Sequence, residues 1–192
     1  MIRAHAALSA KGRLEPFEYD PGPIGAHQVD VRVTHCGICH TDAATVDNDF
    51  GFSQYPLVPG HEAVGVVAAV GAEVDRLKVG QRVGVGPMCG SCMKCEWCEG
   101  GLQHLCPNVV LTIFGGHHGG FATHVRVNNW RFAFPLPDEI KSEDAGPLMS
   151  RALPSSPLSC NTVCDRPTGS RSPASAVLGT WLCNTWLSGG AT

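Results

Sequence analysis

Four cysteines, Cys92, Cys95, Cys98 and Cys106, fall at x2, x2 and x7 spacing in a Gly-flanked stretch. Zinc in structural sites is tetrahedral and commonly takes four cysteines, and x2 gaps let a turn wrap the ion. Cys89 adds a further x2 gap, so a Cys89/Cys92/Cys95/Cys98 set is the alternative. That set would crowd every ligand into ten residues, and Cys106 is preferred, with Cys89 as a spare thiol. A disulfide framework is the competing use of the chain's ten cysteines. The opening stretch MIRAHAALSAKGRLEP lacks the apolar core of a secretory signal, which favours a cytoplasmic, reducing setting and therefore metal. A nucleic-acid-binding zinc ribbon would need two cysteine pairs across a hairpin and a basic surface. The chain has a net charge of −3 and no basic run, so no nucleic-acid partner is expected. No window approaches 18 apolar residues, and no membrane association is expected.

A second constellation lies upstream, in THCGICHTD and VPGHEAVG. Cys39, His61 and Glu62 are soft, borderline and hard ligands arriving from two different turns. Catalytic zinc typically holds three protein ligands and leaves one position for water or substrate. A cysteine and a histidine so far apart are weak on spacing alone, and Cys36 is equally close to the turn.

The elements that would carry these residues are mostly strands. QVDVRVTHCGI is β-branched and roughly alternating, and leads into CHTDAATVDND, a short helix. HEAVGVVAAVG and GQRVGVG are Val/Gly-rich, like curved strands of a small barrel, and GGFATHVRV and WRFAFPLP supply two more. DEIKSEDAGPLM opens a helix with Ser142 as N-cap. Strands first and a helix late, without βαβ alternation, predict a mainly β, irregular barrel over residues 1–149.

Gly37-Ile38-Cys39-His40-Thr41-Asp42, then Pro59-Gly60-His61-Glu62, then the four-cysteine loop, together resemble the zinc-dependent medium-chain alcohol dehydrogenases. Asp47–Glu62 is most similar to the cinnamyl-alcohol-dehydrogenase-like, NADPH-using aldehyde reductases of bacteria. The resemblance covers residues 1–149 and implies a GroES-like catalytic domain carrying a structural-zinc lobe (Cys92, Cys95, Cys98, Cys106). It implies that Cys39 and His61 ligate a catalytic zinc, with Glu62 as an alternate ligand that helps exchange water. Asp42 would fix the tautomer of His61. Thr41 would relay a proton, and His40 would face the phosphates of NADP. The substrate would be a small aldehyde or alcohol, and the intact parent a homo-oligomer. Relatives often place a histidine two residues beyond the aspartate; here Ala44 stands there.

Past Met149 the apolar periodicity stops, and residues 150–192 read as a disordered tail. The family would place a third zinc-ligating cysteine, opening a CAG or CGG triplet, where Ser150 stands. It would then place a Rossmann dinucleotide-binding domain opened by G-x-G-x-x-G. Neither is visible. Shifted by one base, ASAVLGTWLCNTWLSGGA (Ala174–Ala191) permits GIGGLGHLAVQYLAKWGC, which contains that fingerprint, and Ser150-Arg151-Ala152 permits CAG. A frameshift near codon 150 is therefore expected, leaving a truncated catalytic domain with a weakened catalytic zinc site and negligible turnover. The competing class is a non-catalytic zinc protein, a metal store or interaction module.

Overall fold

The computed structural model describes residues 1–152. The tail expected over 150–192 lies outside the described residues apart from 150–152, which close the last helix.

The fold is mainly β, built on a five-stranded antiparallel sheet. Its strands are β3 (Val29–Cys36), β4 (Ala63–Val70), β5 (Arg82–Val85), β8 (His124–Val127) and β9 (Ala133–Pro135), in the order β8-β3-β4-β5-β9. Valine makes these strands: Val29, Val31, Val67, Val83, Val85, Val125 and Val127 are all buried in one core with Leu77, Trp130 and Phe132. A stiff β-branched side chain suits a pleated, half-buried surface. Register irregularities in β3 between Asp30 and Val31, and between Val33 and His35, bend its end toward the turn that bears Cys39. Gly65 lets β4 cross that bend, because a Cβ there would overlap the Arg32 carbonyl oxygen.

Two two-stranded pairs accompany the sheet. β1 (Ile2–Ala7) and β2 (Leu14–Tyr19) form a hairpin, bonded to the rest through β1: His5 N–H donates to the Phe121 carbonyl at 2.9 Å, and Thr123 N–H to that of Arg3 at 2.8 Å. Ala4 and Ala6 face a small core with Val58, Phe17, Tyr19 and Phe121. β2 has no partner beyond β1 among the described strands; it carries Pro16, and Glu15 and Glu18 are exposed. The second pair, β6 (Met88–Gly90) with β7 (Val110–Leu111), closes the base of the cysteine-rich lobe.

Helices α1 (His40–Asp47), α2 (Glu96–Glu99) and α3 (Ser142–Ala152) complete the domain. α3 lies on β3, β4 and β5, and its Ala145 and Met149 join Val64, Phe134, Leu136 and Ile140 in a separate core. Met149 reaches that depth because residue 84 is glycine; a Cβ there would overlap the Met149 sulfur. Burying side chains such as Met149 and Ile140 is worth about 1.5–3 kcal/mol each. Ser142 is the first residue of α3 rather than its cap, and its Oγ accepts from Arg82 Nη1 at 3.3 Å.

Candidate metal centres

The lobe between β6 and β7 is folded by its turns. Met93 adopts a left-handed backbone (φ 58°), Cys95 precedes the single turn of α2 in extended conformation, and Gly101 (φ 77°) reverses the chain toward Cys106. The metal-ligating atoms of Cys92, Cys95, Cys98 and Cys106 lie within 4.8 Å of one another. Cys92 Sγ is 3.5 Å from Cys106 Sγ and 3.9 Å from Cys98 Sγ. A tetrahedron with zinc–sulfur bonds of about 2.3 Å has sulfur–sulfur edges of about 3.8 Å. The lobe therefore fits zinc in both donor chemistry and size. The Lys94 backbone N–H, with Cys106 and Cys95 behind it, holds the Cys92 thiol down to about 6. Cys98 also lies below the usual thiol range, against the effect of burial, through Ser91 and the neighbouring cysteines.

Cys89 is not part of this cluster. Its thiol is buried against the Val110 carbonyl (3.6 Å) and His117 Nε2 (3.5 Å), and burial pushes it up to about 12.

The second cluster joins the end of β3 to the start of β4. Cys39, His61 and Glu62 bring one ligand atom each within 4.8 Å of the others. Cys39 is the N-cap of α1, and the Thr41 backbone N–H lowers its thiol below the ordinary value. Asp42, in the first turn of α1, gathers three donors from both turns. Cys39 N–H donates to Oδ2 at 3.0 Å, Gly60 N–H to Oδ1 at 2.8 Å, and His61 Nδ1 to Oδ1 at 2.9 Å. Burial would raise the Asp42 carboxyl, but these donors, His61 foremost, hold it below the usual carboxylate range. Burial would likewise lower His61, yet the bond to Asp42 keeps it above its ordinary value. With Nδ1 committed to Asp42, Nε2 is the nitrogen left for a metal. A thiolate, an oriented imidazole and a carboxylate on one side of a space fit zinc at a three-ligand site.

The remaining sequence-predicted residues differ in burial. Thr41 is half-buried with its hydroxyl 3.7 Å from Cys39 Sγ, and its carbonyl accepts from Thr45 Oγ1 at 2.7 Å. His40 is exposed at the first position of α1, while Ala44 is buried. Ser150, on α3, is half-buried. Ile38, beside Cys39, is 84% exposed and lies at the end of an open groove of about 860 Å³ between the β1–β2 hairpin and β3. Sequence reasoning did not find Gly60 as an Asp42 donor. A backbone N–H leaves no side-chain signature, and the left-handed φ of 101° at Gly60 is the one trace that glycine offers.

Known proteins resemble this chain in sequence and fold. The alcohol dehydrogenase GroES-like domain matches residues 25–138. The aldehyde reductase AdhA of Synechocystis sp. is 49% identical over 148 residues, covering 77% of this chain and 44% of that protein. Cinnamyl alcohol dehydrogenase 2 of Rauvolfia serpentina is 38% identical over 153 residues, covering 77% of this chain and 42% of that one. The chain thus spans less than half the length of the curated relatives it matches. Among solved structures, cinnamyl alcohol dehydrogenase SbCAD4 of Sorghum bicolor superposes with a TM-score of 0.79 at 30% identity, covering 96% of this chain and 56% of that chain. The CAD of Helicobacter pylori, solved in complex with NADP(H), gives 0.70 at 25% identity, covering 77% of this chain and 45% of its own. With more than half of its residues inside the domain match, the chain belongs to the alcohol dehydrogenase GroES-like domain family.

Proposed function

We propose that residues 1–149 are the zinc-binding catalytic part of an NADP(H)-linked aldehyde reductase or alcohol dehydrogenase, acting on a small aldehyde or alcohol. The observation that carries this reading is the convergence of Cys39, His61 and Glu62 on one space, with His61 tied to Asp42. When bound, zinc supplies Lewis acidity at the substrate oxygen and the nicotinamide supplies hydride. The chain's own residues hold and tune. Asp42 fixes the imidazole tautomer and keeps its Nε2 available for ligation. Cys39 offers a thiolate at a helix N-terminus, where partial positive charge favours it. The Thr41 hydroxyl, beside Cys39, is placed to pass a proton between the substrate oxygen and solvent, and exposed His40 to meet an anionic group of the cofactor.

The four-cysteine lobe supports a structural zinc that is independent of this chemistry. We infer that the reading frame shifts near codon 150, so that Ser150 stands in place of a third, thiolate ligand. A neutral hydroxyl there leaves the catalytic zinc weakly held in this chain. The second reading, a non-catalytic zinc module, is favoured by one observation: the lobe's four thiols are complete without any other part of the protein.

Zinc titration of the chain against a chromophoric chelator, with an NADPH-dependent aldehyde assay, tests the proposal. The expected result is one firmly held zinc, a second held more weakly, and negligible turnover. A single zinc equivalent supports the module instead, and robust turnover refutes the weakened catalytic site. Resequencing codons 148–152 from source DNA tests the frameshift directly; an unchanged sequence rejects it.

A further inference from the structure

Glu62 is buried and has a carboxylate within 4.8 Å of the Cys39 and His61 ligand atoms, and among the described residues that carboxylate is seated in a gap and makes no hydrogen bond. The gap is Gly37. A Cβ built on Gly37 would overlap Glu62 Oε2 and lie 3.1 Å from both Cβ and Cδ of Glu62, so the side chain of Glu62 rests on the bare Cα of residue 37. The φ of Gly37 lies outside the left-handed region, so glycine is required by contact and not by backbone conformation. The same two residues share a backbone bond: Gly37 N–H donates to the Glu62 carbonyl at 3.0 Å.

Helix α3 presses on that bond from behind. A Cβ on Gly146 would lie 3.1 Å from Gly37 N and 3.4 Å from the Glu62 carbonyl oxygen. One turn further along the same face, Met149 fills the notch over Gly84. The helix is therefore seated at two points, one of which is the backbone of the Gly37–Glu62 junction.

We propose that Gly37 and Gly146 are positioning residues for the Cys39/His61/Glu62 centre. Gly37 provides the seat on which the Glu62 carboxylate lies, and Gly146 lets α3 clamp the backbone beneath it. This positioning role rests on the reading of the cluster as a metal centre. In a chain with serine at position 150, Glu62 is the donor that completes a three-ligand set, so its placement governs how well the ion is held.

The test uses the full chain, zinc as probe, and the variants Gly37→Ala, Glu62→Ala, Gly37→Ala/Glu62→Ala and Gly146→Ala. Two readouts are taken: the affinities of successive zinc equivalents by chelator competition, and the melting temperature with one equivalent bound. Gly37→Ala weakens the second equivalent ~10–100-fold, the range seen when a residue supporting a metal ligand is lost. It leaves the first equivalent unchanged and lowers the melting temperature. Adding Glu62→Ala removes the overlapping atoms, so the double variant recovers its melting temperature while the second equivalent stays weak. That rescue separates a seat for Glu62 from a general need for glycine. Gly146→Ala also weakens the second equivalent, although alanine ordinarily favours a helix over glycine.

Unchanged second-site affinity in Gly37→Ala overturns the seat, as does a melting temperature that Glu62→Ala fails to restore. Unchanged affinity in Gly146→Ala overturns the clamp. A wild-type chain that binds no second zinc refutes the metal-centre reading and the positioning role with it, a result distinguishable because no variant is needed to see it.

Discussion

Met149 Sδ occupies the space above Gly84 that any side chain at position 84 would claim, so β5 and α3 interlock at one glycine. Gly84→Ala should force the methionine out and cost about 1–3 kcal/mol, the usual range for overpacking a tight core. Urea unfolding measures the loss. The Gly84→Ala/Met149→Ala pair should lose less than the sum of its single variants, because each change relieves the other's defect. Additive losses would show that the two residues do not compete for the same space.

Asp42→Asn should weaken the second zinc equivalent ~10–100-fold while sparing the first. The asparagine keeps the volume but replaces a carboxylate that accepts from Cys39, Gly60 and His61 with an amide of smaller acceptor capacity. Chelator competition reads both equivalents in one titration. Equal loss at both would mean that the substitution disturbs the whole domain.

Cys106→Ser and Cys89→Ala should part company. The first removes one of four clustered thiols and should abolish tight binding of the first zinc equivalent. The second empties a buried thiol position outside the cluster and should cost about 1 kcal/mol of stability, leaving zinc stoichiometry intact. Zinc loss in Cys89→Ala would restore the alternative ligand set.

His118, which belongs to neither ligand cluster, offers a pH test. Its ring packs 4.4 Å from Tyr19 and 5.8 Å from Phe17, and its buried Nδ1 has no hydrogen-bond partner among the described residues. Burial first, and the neighbouring His117 second, hold its pKa below the ordinary histidine value. A lowered folded-state pKa means that the unfolded chain takes up the proton first as pH falls. The stabilising contribution is whole above about 6.5 and is lost as pH drops from there through the folded value. The melting temperature of the wild type should fall faster between pH 7.5 and 5.5 than that of His118→Phe, which keeps an aromatic ring without a titrating nitrogen. Parallel profiles would dismiss the effect.

The strands that hold the centres were legible because valine wrote them: Val29 to Val33, Val64 to Val70, Val83 to Val85 and Val125 to Val127 read as sheet and are sheet. The β1–β2 hairpin was not, since the buried residues of β1 after Ile2 are Ala4, Ala6 and Ala7, residues with little preference for strands. Strands of two or three residues such as β6 and β7 carry no periodicity to detect. The clustering of Cys92, Cys95, Cys98 and Cys106 was readable from spacing, and that of Cys39 and His61 from motif context. The supports were not: the contact of Glu62 with Gly37, and of Gly146 with both, exists only once β3, β4 and α3 are packed. A glycine in sequence announces freedom far more readily than it announces a neighbour.

The outer strand β2 bears on how copies of this domain behave at high concentration. An unpaired strand edge is a template for open-ended stacking of one molecule on the next. Pro16 removes a donor from the middle of β2, and the exposed Glu15 and Glu18 put like charges where two such edges would meet. Concentrated solutions should therefore resist fibre growth through this hairpin, and Glu15→Gln/Glu18→Gln, which removes both charges, should weaken that resistance.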